Sequence, residues 1–310
     1  MSQSSNAHAT KDKPLFGKLV IGLIRLLSHF SLKNQQRVGS ALGRFLSWFP
    51  NYNRNVVRAN LKQAYPDLTD AERKQLELKV LQENAKGFAE LGAVWEWPIE
   101  RLLPYIREVH GYELLDQAFS KQKGVIMLSP HFGCWEATAV YLSNTYDFTF
   151  LYQPQSLPTI ENYIVKARSR VKTSTPAPTN IKGVRLMFQR LKDNKMVGIL
   201  PDQDPGESGG IHAPFFGYPA RTMTLVSKLA AKAQCDVLFI VAERLPNGEG
   251  FDLHIFPADS DIASTDELTA ATALNRGVEK VIAINPAQYL WTYKRFRHPP
   301  KDVKDLYKKP

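Results

Sequence analysis

The 310-residue chain is 44% hydrophobic and 23% charged, with 40 Lys and Arg against 30 Asp and Glu, a formal net charge of +10. This is an ordinary globular composition, long enough for one large α/β domain or two small ones. Two cysteines, Cys134 and Cys235, with no C-x-x-C pair, exclude a disulfide framework, and the basic surplus suits nucleic acid, an anionic membrane face or an acidic protein partner.

Residues 1–14 are polar and aperiodic, and disorder is expected there. From 15 to 30 the pattern changes. Leu15, Phe16, Leu19, Val20, Leu23, Ile24, Leu26, Leu27 and Phe30 fall within one half of a helical wheel, with Lys18, Arg25 and His29 opposite. The cations interrupt the apolar run of roughly 20 residues that a spanning helix needs. Ser31-Leu32-Lys33-Asn34 offers no small-residue cleavage site. Two readings stay open: a core helix of the body, or a helix lying in the membrane interface with its basic residues towards anionic lipid. The interface is preferred, because a second amphipathic stretch, 38–49 with Phe45, Leu46, Trp48 and Phe49, follows at once. Helices are then expected at 53–65 and 69–95, the second opened by the capping-box pattern Thr69-Asp70-Ala71-Glu72.

Gly124-Val125-Ile126-Met127-Leu128 has the length and β-branched content of a buried strand, and 135–142 reads as a helix. Between them stands Ser129-Pro130-His131-Phe132-Gly133-Cys134-Trp135-Glu136. On one continuous helix, residues five apart differ by roughly 140° around the axis. His131 and Glu136 therefore meet only if His131 precedes the helix and Glu136 lies in its first turns, with Gly133 giving the backbone freedom to bend. There a carboxylate accepts a hydrogen bond from one imidazole nitrogen and leaves the other as a general base. A strand-to-helix turn with a capping histidine satisfies the spacing equally well. A helical zinc pair wants His residues four apart and a third ligand, so no metal is expected. Cys134 reads as a small buried cysteine rather than a nucleophile.

Downstream come a strand at 148–152, a helix at 158–171 ending in Lys166, Arg168, Arg170 and Lys172, a polar loop at 172–180, a helix at 181–193 and a strand at 196–200. This alternation argues for an α/β fold, a mostly parallel twisted sheet covered by helices. Ligands of such sheets collect at the carboxyl ends of strands; His131 follows one such end and Asp202 another. The acidic, glycine-rich loop 201–210 reads as a turn on composition. Arg221 stands at the expected start of a helix, where anions are favoured. Strands at 235–243 and 251–256 are joined by a hairpin at Pro246-Asn247-Gly248. Helices are expected at 268–284 and 288–296, the last ending in the basic-aromatic cluster 293–299. Such a cluster can stack on bases, but no nucleic-acid module accompanies it. No repeat or linker divides the chain after Gly124.

Taken together, these blocks resemble the bacterial late acyltransferases of lipid A biosynthesis, the lauroyl/myristoyl group of the lysophospholipid acyltransferase superfamily. The resemblance runs from about residue 53 to 299. It rests on Asn53-Arg54 with Val57, Asn60 and Leu61, the block 129–136, Tyr152-x-Pro154, the Arg168/Arg170 pair and 197–206. Pro214-Phe215-Phe216-Gly217 with Thr222-Met223-Thr224, and Asn285-Pro286-x-Gln288-Tyr289-x-Trp291 with Lys294-Arg295-Phe296, complete it. The wider superfamily uses His-x4-Asp, whereas this chain has His131-x4-Glu136, the form of the lipid A branch.

The resemblance implies transfer of a fatty acyl chain from acyl carrier protein, or acyl-CoA, to a hydroxyl of an acylated lipid A precursor, without a cofactor, at the cytoplasmic face of the inner membrane. It implies His131 as general base and Glu136 as the group that holds its tautomer. No acyl-enzyme is needed, so no Gly-x-Ser-x-Gly elbow is expected. The helix N-terminus near Gly133, or Arg168, would donate to the oxyanion. Arg168 and Asp202 are further site residues by family position, and Arg221 is the candidate for acceptor phosphate. The expected organisation is a disordered 1–14, membrane-associating helices over 15–50, and one α/β domain over 51–310. Expected partners are acyl carrier protein or acyl-CoA, the lipid A precursor and an anionic membrane surface, but no nucleic acid. The alternatives are an acyltransferase acting on a lysophospholipid or other glycolipid, a thioesterase, and a non-enzymatic membrane- or RNA-binding protein.

Overall fold

A computed structural model describes residues 14–171 and 173–308; residues 1–13, where disorder is expected, and Lys172 lie outside the described residues. Six helices open the chain: α1 (Pro14–Ser28), α2 (Leu32–Ser47), α3 (Tyr52–Ala64), α4 (Asp70–Ala89), α5 (Leu91–Glu96) and the single turn α6 (Ile99–Leu102). Side-chain caps set their starts, Ser31 for α2, Asn51 for α3 and the reciprocal Thr69/Glu72 box for α4. The single helix expected over 69–95 is two. At the break the Ala93 N–H donates to the Gln35 side chain at 3.0 Å instead of continuing the helical ladder.

The sheet elements follow: β1 (Ile106–His110), α7 (Glu113–Ser120), β2 (Val125–Leu128), α8 (Trp135–Thr145), β3 (Phe148–Tyr152), α9 (Pro158–Arg168), β4 (Ser174–Pro178), α10 (Ile181–Lys192), β5 (Met196–Ile199), β6 (Gly210–Phe215), β7 (Tyr218–Met223), α11 (Leu225–Ala233), β8 (Asp236–Arg244), β9 (Phe251–Pro257) and α12 (Glu267–Ile284). Seven strands form one sheet in the order β1-β9-β8-β2-β5-β3-β4, and β6 and β7 form a separate hairpin. Every neighbouring pair in the large sheet is parallel except β8 with β9. The α/β architecture with a mostly parallel sheet is therefore as the sequence implies. β2 and β5 are buried along their whole length, which explains their unbroken apolar runs. Two cores lie against the sheet, one around Val226, Phe239 and Val278, the other around Trp97, Leu115 and Ile240.

Four regions depart from expectation. The polar loop at 172–180 contains β4, a proline-bearing edge strand paired with β3. β1 and α7 fill a stretch in which no element is expected. Arg221 lies in β7, not at a helix start; Phe216 and Gly217, both at positive φ, make the turn that pairs β6 with β7. The helix expected at 288–296 does not form. Asn285-Pro286 ends α12, and the following chain pairs with the His131 loop: Gly133 N–H donates to Gln288 O at 3.0 Å and Leu290 N–H to His131 O at 2.9 Å.

The N-terminal helices dock on the body through glycines. Gly39 and Gly43 of α2 face the backbone of α4 at Lys86 and Leu81 with no room for a Cβ, and Gly92 does the same beneath Ser28 at the end of α1. Gln36 of α2 donates to Glu90 at 2.7 Å. α1 buries only Gly17, Ile24 and Leu27. Its Leu15, Phe16, Leu19, Leu23 and Leu26 are all more than half exposed, the lowest at 54%. α1 thus docks by a narrow strip and presents its broad apolar side outward. No helix among the described residues is long and apolar enough to cross a membrane.

Candidate active site

β2 and β5 pair in register, Leu128 opposite Ile199. His131 follows the end of one strand by three residues and Asp202 the end of the other by three, so parallel pairing brings them to the same level. His131 Nδ1 lies 2.8 Å from Asp202 Oδ1, and the His131 backbone N–H donates to Asp202 Oδ2 at 3.0 Å. Asp202 is buried, at 2% exposure. Burial would push its carboxyl up, but the neighbouring His131 and the hydrogen bonds from it hold it below the usual carboxylate range. With Nδ1 donating to Asp202, Nε2 is left as an acceptor, and the Gln203 amide nitrogen stands 3.2 Å from it.

The hydrogen bond to the imidazole expected of Glu136 is made by Asp202 instead. Glu136 is occupied elsewhere: Arg168 Nε donates to its Oε2 at 3.1 Å, Arg168 Nη2 pairs with Oε1, and the Trp95 indole N–H reaches Oε2 at 3.0 Å. Burial raises the Glu136 carboxyl, but Arg168's charge and hydrogen bonds, the Trp95 bond and the charge of His131 outweigh it and favour the anion. The hydrogen bonds of Glu136 thus go to Arg168 and Trp95 and not to His131. A helix carboxylate at this spacing is one of two candidates for the imidazole. Strand register decides for the other, because α8 starts at Trp135 and turns Glu136 towards α9.

Gly133 is structural rather than an oxyanion donor. Its N–H is used by Gln288, its carbonyl accepts from Arg244 Nη2 at 3.1 Å, and at φ +55° a Cβ would run into the Ala242 carbonyl oxygen. Cys134 is fully buried and its thiol is pushed well above the ordinary value, chiefly by burial, so it is not a nucleophile. Arg221 pairs with Asp204 at 3.8 Å, and Arg297 Nε with the same carboxylate at 2.9 Å.

Sequence reasoning missed Arg244. Its buried guanidinium donates to Glu90 at 2.6 and 2.7 Å and to Glu83 at 2.7 Å, tying α4 and β8 to the Gly133 carbonyl. Its carboxylate partners lie 154 and 161 residues away in sequence, and no local pattern announces them. Part of the basic-aromatic cluster is also spent internally. Arg295, 1% exposed, donates to Arg221 O and Thr222 Oγ1, and Phe296 is fully buried.

His131, Glu136, Arg168, Gln203 and Asp204 line a cavity of about 680 Å³. Its remaining wall is largely apolar, including Met127, Leu142, Phe148, Phe150, Val184, Gly198 and Ile240. A buried-carboxylate–histidine pair at the ends of adjacent parallel strands, opening on an apolar cavity, defines an α/β protein equipped to activate a hydroxyl beside an apolar chain.

Comparison with known proteins gives the family. Residues 10–298 match the bacterial lipid A biosynthesis acyltransferases, and the chain belongs to that family of transferases. It is 28% identical over 290 residues to the lipid A biosynthesis lauroyltransferase of Escherichia coli (strain K12), covering 93% of this chain and 94% of that protein. The palmitoleoyltransferase of the same organism is 27% identical, covering 87% of each chain. Its myristoyltransferase is 22% identical over 86% of this chain and 84% of its own length.

Proposed function

We propose that the protein transfers a fatty acyl chain from an acyl carrier protein thioester, or acyl-CoA, to a hydroxyl of an acylated lipid A precursor, with His131 as general base. The observation that carries this reading is the His131–Asp202 pair, whose Nε2 is left as acceptor beside an apolar cavity. The acceptor hydroxyl gives its proton to Nε2 as its oxygen attacks the thioester carbonyl. Asp202 holds the tautomer and stabilises the imidazolium. The tetrahedral oxyanion collapses, the carbon–sulfur bond breaks, and the imidazolium returns its proton to the leaving thiolate. The Glu136–Arg168 pair lines the same cavity, and Arg168 is the cation offered to the oxyanion. Arg221 with Arg297, set around Asp204, is the candidate group for acceptor phosphate.

The outward apolar side of α1, continued by exposed Leu42, Phe45, Trp48 and Phe49 of α2 and its end, would lie in the cytoplasmic leaflet of the inner membrane. The single α/β body would then sit peripherally on it, its basic surplus matching anionic lipid and an acidic carrier protein. Purified protein, an acyl carrier thioester and a lipid A precursor test the chemistry. The expected result is acyl transfer, lost by His131→Ala; fatty-acid release with no acceptor consumption overturns it.

A further inference from the structure

The Glu136–Arg168 pair does not stand alone. Trp95, on α5, donates its indole N–H to Glu136 Oε2 at 3.0 Å, and its ring meets Tyr163 of α9 edge-on, with centroids 5.7 Å apart at 77°. The Tyr163 hydroxyl donates to Glu96 Oε1 at 2.5 Å. Glu96 Oε1 lies 3.7 Å from Arg25 Nε on α1, and the Arg25 guanidinium also stands 5.9 Å from the Tyr163 ring centroid. Arg25, Trp95, Glu96 and Tyr163 together line an open groove of about 610 Å³ beside the main cavity. The indole nitrogen supplies the third donor to a carboxylate already gripped by a guanidinium.

Resting on the acyl-transfer reading above, we infer that Trp95 is a positioning residue for the Glu136–Arg168 pair, and that Tyr163 and Glu96 extend its hold to the docked helix α1. The seating of α1 on the body thereby sets the geometry of groups that line the reaction cavity. A carboxylate fixed by three donors keeps the guanidinium in one orientation; with two, the pair is free to turn.

Trp95→Phe keeps most of the ring contact with Tyr163 and deletes only the N–H. The expected result is a kcat about tenfold lower, the rate equivalent of one hydrogen bond to a charged group, with KM for the thioester and the melting temperature nearly unchanged. Tyr163→Phe and Arg25→Ala give smaller falls of the same kind, and adding Tyr163→Phe to Trp95→Phe costs nothing more, because both act through one contact chain. A wild-type kcat for Trp95→Phe, a KM that rises in step with the fall in kcat, or a loss that only tracks melting temperature, overturns the positioning role. Full additivity of the two substitutions overturns the link to α1.

A readout independent of turnover separates this inference from the reaction itself. The indole N–H resonance that disappears in Trp95→Phe shifts in Glu136→Gln and in Arg25→Ala. A resonance unmoved by Glu136→Gln refutes the contact, and one unmoved by Arg25→Ala refutes the link, whether or not the protein transfers acyl groups.

Discussion

Asp202 and Glu136 stand close to the same imidazole and do different work. Asp202 takes the hydrogen bond from Nδ1, while Glu136 anchors Arg168. Asp202→Asn keeps the shape but can present an amide hydrogen to Nδ1 and favour the wrong tautomer. Its kcat is expected to fall by about 10²- to 10⁴-fold in the transfer assay. The same residues govern acid stability. Both carboxyls are held below their ordinary values in the fold. Between the depressed values and an unfolded value of about 4, the unfolded chain binds more protons, so stability rises with pH there and is lost as pH falls through it. Urea unfolding from pH 3 to 6 is expected to show a shallower fall for Asp202→Asn than for the wild type. Arg244 ties α4 and β8 to the loop that carries Gly133. Arg244→Ala leaves fully buried Glu90 without its main partner, and denaturant unfolding is expected to register a loss of about 3–5 kcal/mol.

At the scale of elements, β3 and β5 shape the cavity. Gly198 of β5 faces the Phe148 ring so closely that a Cβ would collide with it, and both line the cavity, with Phe148 at the amino end of β3. The ring thus forms part of the apolar wall of the cavity that His131 also lines. Phe148→Ala is expected to shift acyl preference towards chains longer by a few methylenes, measured by mass spectrometry of products from a panel of thioesters. Deleting a buried Phe also costs about 3–5 kcal/mol, so preference, not rate alone, is the deciding readout. α2 shows the opposite use of glycine: Gly39 and Gly43 let it lie directly on α4, and Gln35 and Gln36 reach from it into the body.

At the scale of the whole molecule, the proposed membrane seating rests on the charge surplus and on the outward apolar side of α1. Leu19 and Leu23 are 64% and 57% exposed, so Leu19→Ser with Leu23→Ser removes little from the core. Sedimentation with anionic phospholipid vesicles is expected to weaken severalfold, while the melting temperature holds within a few degrees. Unchanged sedimentation would place the contact with lipid elsewhere on the body.

The sequence by itself determined the α/β class, the helical N-terminal region and the strands at 125–128 and 148–152, because these follow from local periodicity and from blocks of contiguous residues; it made His131 a candidate and left its role open. It also carried the family, through many short blocks in order. What it did not contain was the choice between two carboxylates. His131 and Asp202 are 71 residues apart, and only the parallel register of β2 with β5 brings them to one level. The same holds for Arg244 with Glu90, for the β6–β7 hairpin, and for the chain after Asn285, which is extended because it pairs with the His131 loop. α1 makes the same point from the other side: its wheel was legible, but whether it was core or interface was not, since the packing of Gly17, Ile24 and Leu27 on α5 and α9 leaves the rest of its apolar side facing out. Local pattern states what a segment can bury; tertiary contact decides which part of it is buried, and against what.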